Sequence, residues 1–170
     1  MKKAVILLEK DYQDLEAWYP YYRLKEAGID VVMAAPDGVR EVKGKYGYIA
    51  DEEIKVAFSQ LKAEDYDLVL IPGGWAPDYL RRHQSVLDFI KGMDSRKKVV
   101  AAICHAGWVI VSAGIVKGRK ATCFRGIRDD LKNAQALYED SEVVVDGNLI
   151  TSRTPDDLPA FMKAILAGLG

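Results

Sequence analysis

The sequence predicts an α/β fold built on an open, doubly wound, mainly parallel sheet, and three observations carry that expectation. Short continuous apolar runs recur at 4–8, 31–35, 68–71 and 99–103, as strands covered on both faces should. Segments of helical spacing separate them, giving the strand, helix, strand alternation of a sheet with helices on each side. The last of these runs stops abruptly at Cys104, with Ala102 and Ala106 two positions either side of it. That is the pattern of a nucleophile elbow, where a strained strand-to-helix turn tolerates only small neighbours.

The elements follow in order. The first strand, 4–8, leads into a helix over Leu15 to Ala27 closed by Gly28, then the second strand at 31–35. The stretch 45–56 reads as an extended excursion or hairpin that decorates the sheet. After the third strand, 68–71, a helix over 86–93 returns the chain to the fourth strand, and a helix over 108–113 closed by Gly114 follows the elbow. Residues 142–152 read as strand, an Asp146-Gly147-Asn148 turn, and strand, again as decoration. The closing helix, 156–169, is marked by Thr154-Pro155-Asp156-Asp157, despite Pro159 in its first turns. There is no repeat, low-complexity stretch or linker.

Composition narrows the function classes. A chain of 170 residues supports one well-buried core, and one domain over 1–170 is expected. Lys and Arg total 24 against 25 Asp and Glu, a net charge of −1, which argues against broad nucleic-acid binding. No apolar run approaches the ~20 residues that cross a bilayer, and no signal sequence is evident, so a cytoplasmic protein without membrane contact is expected. Two cysteines make no disulfide framework and are expected as free thiols. Two histidines without metal-ligand spacing imply no metal, and the absence of glycine-rich nucleotide motifs implies no cofactor.

Chemistry concentrates at the sheet edge where the strands end. The elbow presents the Cys104 sulfur beside a helix N-terminus, whose partial positive charge favours the thiolate and lowers its pKa. His105 packs awkwardly at a strand end, but it suits holding a thiolate or moving a proton. The Gly73-Gly74 pair after the third strand either aims the Gly74 N–H, with that of His105, at a developing oxyanion or merely turns the chain. Glu16 is either the carboxyl group that reaches the thiol, kept protonated by burial, or a surface residue of an amphipathic helix. Asp11 and Asp14 read as solvent-facing charges near the helix start, and His83, among polar neighbours, as solvated.

Several stretches together resemble the PfpI, or ThiJ/PfpI, family of intracellular cysteine peptidases and glycation-repair enzymes, within the class I glutamine-amidotransferase-like superfamily. They are Leu15-Glu16-Ala17-Trp18-Tyr19-Pro20, Ile71-Pro72-Gly73-Gly74, Ala102-Ile103-Cys104-His105, Gly126-Ile127-Arg128-Asp129-Asp130 and Val145-Asp146-Gly147-Asn148. The resemblance implies a flavodoxin-like three-layer sandwich and a Cys104–His105 pair, with Glu16 touching the thiol. It also implies a third acidic member supplied by a neighbouring subunit, which falls on Asp78, and a homodimer or trimer of dimers. Peptides, glycated proteins or small dicarbonyls are the implied substrates. Asp78 stands where the family usually has glutamate, and Phe124 where peptidase-type relatives often carry tyrosine, so peptide hydrolysis is the least secure part of the transfer. The alternative for the same thiol is a non-catalytic redox sensor or stress-response protein.

Overall fold

A computed structural model describes residues 1–170. Its strands are β1 (Lys3–Leu7), β2 (Asp30–Ala35), β3 (Val42–Lys43), β4 (Ile49–Ala50), β5 (Ile54–Ala57), β6 (Leu68–Ile71), β7 (Val99–Ile103), β8 (Lys120–Ala121), β9 (Leu137–Tyr138), β10 (Val143–Asp146) and β11 (Leu149–Ser152). The helices are α1 (Asp14–Glu26), α2 (Ala76–Leu80), α3 (Gln84–Ser95), α4 (Gly107–Ser112), α5 (Arg128–Asn133) and α6 (Leu158–Leu169). Seven strands form the central sheet in the order β10-β11-β7-β6-β1-β2-β5, parallel except for the β10–β11 pair.

The order explains where a site can form. From β1 the chain steps outward to β2 and β5, then returns to β6 on the other side of β1 and continues to β7. Right-handed crossovers in opposite directions put α1 and α3 on opposite faces of the sheet, and α6 packs beside α1. The reversal between β1 and β6 opens a crevice beyond their carboxyl ends, the usual place for a ligand in such sheets. Strands β1, β6 and β7 are apolar throughout because both faces are covered; all of β6 and β7 and residues 4–7 of β1 are buried.

Some expectations change. Residues 142–152 do form a hairpin, but β11 is wholly buried and lies inside the sheet, parallel to β7. The excursion at 45–56 divides: β3 and β4 make a separate antiparallel hairpin, while β5 becomes the sheet edge beside β2. Short period-2 segments of this kind show their strand character in sequence but not which edge they join, since that is set by tertiary packing. The short helix α2 and the β8–β9 pair were not anticipated. The closing helix begins at Leu158 after a turn of 3₁₀ helix over Pro155–Asp157, and Pro159 falls in its first turn, where a missing N–H removes no helical bond. No helix is long and apolar enough to cross a membrane.

Candidate active site

Three strand ends build the site. After β7 the backbone turns sharply, and Cys104 adopts φ of 62°, in the left-handed region. For a residue with a Cβ this strain costs about 1–3 kcal/mol and persists only where the surroundings enforce it. They do: Ala102 and Ala106 are buried on either side of the turn, small neighbours of the kind such a turn requires. The sulfur faces the crevice with its residue 8% exposed.

The loop after β6 supplies space and donors. A Cβ on Gly73 would lie 2.6 Å from Glu16 Oε2 and 2.7 Å from Cys104 Cβ, so only glycine lets the carboxyl and the thiol converge. Gly74 has φ of 78°, and a Cβ there would lie 2.4 Å from the Asp11 carbonyl oxygen. This close approach makes an isolated bridge between Gly74 and Tyr12, and it brings the Gly74 N–H, like that of His105, near enough to the sulfur to lower the thiol pKa. Gly73 in particular makes room for the Glu16 carboxyl and the Cys104 side chain to meet.

Glu16 comes from the first turn of α1. The Gln13 side chain caps that helix by accepting the Glu16 N–H at 3.0 Å, which leaves the glutamate side chain pointing inward. Glu16 is 0% exposed; Oε2 accepts the Gly73 N–H at 2.7 Å, and Oε1 is buried with no partner. Burial raises its carboxyl to about 7, against the opposing pull of the Gly73 N–H, the Cys104 thiol and Lys45. The surface reading of this residue is excluded by its place.

Electrostatics correct one expectation. Burial first and a charged Glu16 second push the Cys104 thiol up to about 12, although the His105 and Gly74 N–H groups pull it down. The mouth of the short α4 alone does not ionise this sulfur near neutrality. Carboxyl and thiol behave as one coupled pair in which a charge on either raises the other. A proton on Glu16 removes the Coulombic opposition to the thiolate, leaving burial to oppose it and the two amides to favour it.

His105 completes the immediate surroundings. Its Nδ1 lies 3.3 Å from Sγ, so the imidazole does reach the preceding side chain. The ring stacks on Phe124 at 4.7 Å and meets Trp108 edge-on at 5.1 Å, with Trp75 at 5.9 Å. Burial, then Lys45, lowers its pKa and favours the neutral ring. If Nδ1 accepts from the thiol, the proton resides on Nε2 and needs an acceptor there. Asp78, in α2, does not meet His105 within its own chain; its carboxylate pairs with Arg82 on the surface.

Other residues that shape the pocket were missed in the sequence. The cavity over the sulfur, about 220 Å³, is also lined by Gln13, Lys45, Tyr46, Trp75 and Thr154. Lys45 and Tyr46 arrive there because Asp14, which is 4% exposed rather than solvent-facing, accepts the N–H groups of Tyr46 and Tyr48 at 2.8 Å each. A Cβ on Gly44 would lie 2.4 Å from the Asp14 carboxylate, so the Gly44-Lys45-Tyr46-Gly47 spacing was the available signal. His83 is half-buried, hydrogen-bonded to Glu9 at 3.1 Å and edge-on to Phe58 at 5.1 Å, away from the cysteine. Cys123 is a second buried free thiol. No group of three or more His, Cys, Asp or Glu side chains is placed to hold a metal ion.

Comparison with known proteins shows the family of the chain. The family model described as DJ-1/PfpI family matches residues 2–168. The chain is 40% identical over 162 residues to Deglycase PfpI of Pyrococcus furiosus, covering 95% of each chain. It is 39% identical over 170 residues to Protein/nucleic acid deglycase 2 of Escherichia coli, covering 99% of this chain and 98% of the relative. Among solved structures, a two-domain protein from Anabaena variabilis with DJ-1/ThiJ/PfpI-like and ferritin-like domains superposes with a TM-score of 0.96 at 40% identity; all of this chain is covered, and 48% of that one. The chain belongs to the DJ-1/PfpI family.

Proposed function

We propose that the protein is a cysteine-dependent hydrolase that removes glyoxal-type adducts from amines and thiols, with Cys104 as nucleophile. The observation that carries this reading is the convergence of the strained Cys104 sulfur, the buried Glu16 carboxyl and the His105 Nδ1 at 3.3 Å. As Sγ bonds to the electrophilic carbonyl carbon, its proton passes to Glu16 or His105. The carbonyl electron pair moves to oxygen, beside the Gly74 and His105 N–H groups. For a methylglyoxal adduct, the bond from C1 to the carrier breaks as the amine or thiol takes a proton, and Sγ holds the freed aldehyde carbon C1 as a hemithioacetal. The C1 hydrogen then moves as a proton to C2, giving an Sγ-lactoyl thioester, and water cleaves the Sγ–C1 bond to release lactate and restore the thiol. One carbon is oxidised and its neighbour reduced, so no external oxidant is required.

A small, aromatic-walled cavity of about 220 Å³ favours a three-carbon adduct over an extended peptide. The same reading places the protein in the cytoplasm as a homodimer or trimer of dimers, in which Asp78 of a second copy accepts the His105 Nε2 proton. A comparison of lactate release from a methylglyoxal adduct with cleavage of a fluorogenic peptide tests the substrate class. The adduct is expected to be the better substrate by at least ~100-fold in kcat/KM, about 3 kcal/mol of transition-state stabilisation. A peptide cleaved as fast as the adduct is released would make the protein a peptidase instead.

A further inference from the structure

Next to the cavity over the thiol lies a second cavity of about 590 Å³, also lined by Phe124, that the proposed chemistry does not use. Phe124 and Thr154 line both cavities, so the two adjoin at these side chains. Four cations line the outer one: Arg125, Arg128, Lys132 and Arg153. In a chain whose net charge is −1, so many cations on one concave wall are a local excess.

Their partners divide them by role. Arg153 is committed to structure: its guanidinium donates to Asp157 at 2.9 and 3.1 Å and to Asp140 at 2.9 Å, tying the β11 end to the start of α6. Arg125 forms no ion pair or side-chain hydrogen bond, and Arg128 meets only its neighbour Asp129, at 3.6 Å. Lys132 rests its ammonium on the Tyr138 ring at 5.6 Å, with no carboxylate. Two guanidinium forks and an ammonium thus face one concavity, with Asp140 the only acid lining it and already shared with Arg153. Such forks match carboxylate and phosphate oxygens two at a time.

We propose that Arg125, Arg128 and Lys132 form an anion subsite that selects adducts whose carrier bears a carboxylate or phosphate, held across Phe124 from the reacting carbon. The inference rests on the reading of Cys104 as the nucleophile, and it adds the charge of the carrier to the substrate. The inner cavity then handles the dicarbonyl unit, while the outer wall grips the rest of the molecule. Binding energy from this remote part orients the reacting carbon.

The test uses three hemithioacetals of methylglyoxal that differ in the carrier thiol. N-acetylcysteamine is neutral, N-acetylcysteine adds a carboxylate, and coenzyme A adds phosphates. At low salt at least one anionic carrier is expected to exceed the neutral one about tenfold in kcat/KM, and which one identifies the anion. In the Arg125→Gln/Lys132→Gln double variant, at exposed positions where folding is not at issue, that ratio is expected to fall to near one. Equal rates on all three carriers, or a preference that survives the double substitution, would overturn the subsite. Calorimetric titration of pyrophosphate into Cys104→Ala, with and without the double substitution, separates this outcome from failure of the catalytic reading. Binding weakened at least tenfold by the double substitution supports the subsite even if no adduct is turned over; absent or unchanged binding contradicts it.

Discussion

At the scale of single residues, Glu16 carries the largest electrostatic consequence. Its carboxyl is raised from 4.5 to about 7, with burial as the leading cause. An acid whose folded pKa lies above its unfolded value stabilises the fold fully below the unfolded value, and that stability is lost as pH rises through the folded one. For Glu16 the window runs from 4.5 to about 7, and the loss is about 3 kcal/mol. Glu16→Gln removes the titration while keeping an oxygen to accept the Gly73 N–H. Denaturant unfolding is therefore expected to favour the variant over wild type by about 3 kcal/mol more at pH 8 than at pH 4.5; a difference that does not change with pH contradicts the buried carboxyl. The same substitution removes the charge that raises the thiol, so alkylation of Cys104 by iodoacetamide is expected to gain its pH dependence at a lower pH than in wild type. An unshifted alkylation profile would show that the carboxyl and thiol are not coupled.

At the scale of elements, the turn between β3 and β4 is held by one buried acid. Asp14→Ala leaves the Tyr46 and Tyr48 N–H groups without their acceptor, a loss of about 1–3 kcal/mol, and loosens the segment that carries Lys45 over the pocket. Unfolding curves and steady-state kinetics check this: stability falls, and KM rises more than kcat declines. An unchanged KM would separate the turn from substrate binding. This element also marks how far the sequence could be read. The parallel strands and their helices were legible because burial on both faces writes continuous apolar runs, and the elbow because Ala102 and Ala106 flank a reactive residue type. Asp14 was not legible, since an acid near a helix N-terminus looks the same whether it faces water or a neighbouring loop. The thiol's pKa was misread for a related reason: the favourable helix mouth is visible in the order of residues, whereas the desolvation and Glu16 charge that outweigh it depend on packing. The place of β11 within the sheet likewise depends on long-range pairing that a four-residue strand does not encode.

At the scale of the whole molecule, the reading of Asp78 as third member calls for a second copy. Within one chain, Cys104, Glu16 and His105 converge, while the Asp78 carboxylate pairs with Arg82 on the surface. If Asp78 of one subunit orients His105 of the next, Cys104→Ala and Asp78→Ala each disable every site in their own homo-oligomers. Mixed oligomers contain some sites with both residues intact. Co-refolding the two inactive variants is therefore expected to restore turnover that neither has alone, and its absence in proven mixed oligomers would remove Asp78 from the site. The central claim, that the sulfur on the strained turn is the reacting atom, is tested most directly by lactate release from a methylglyoxal adduct by wild type and by Cys104→Ala, purified side by side. A loss of at least ~1,000-fold in the variant is predicted, on the scale of removing a covalent nucleophile, and equal rates would contradict the account.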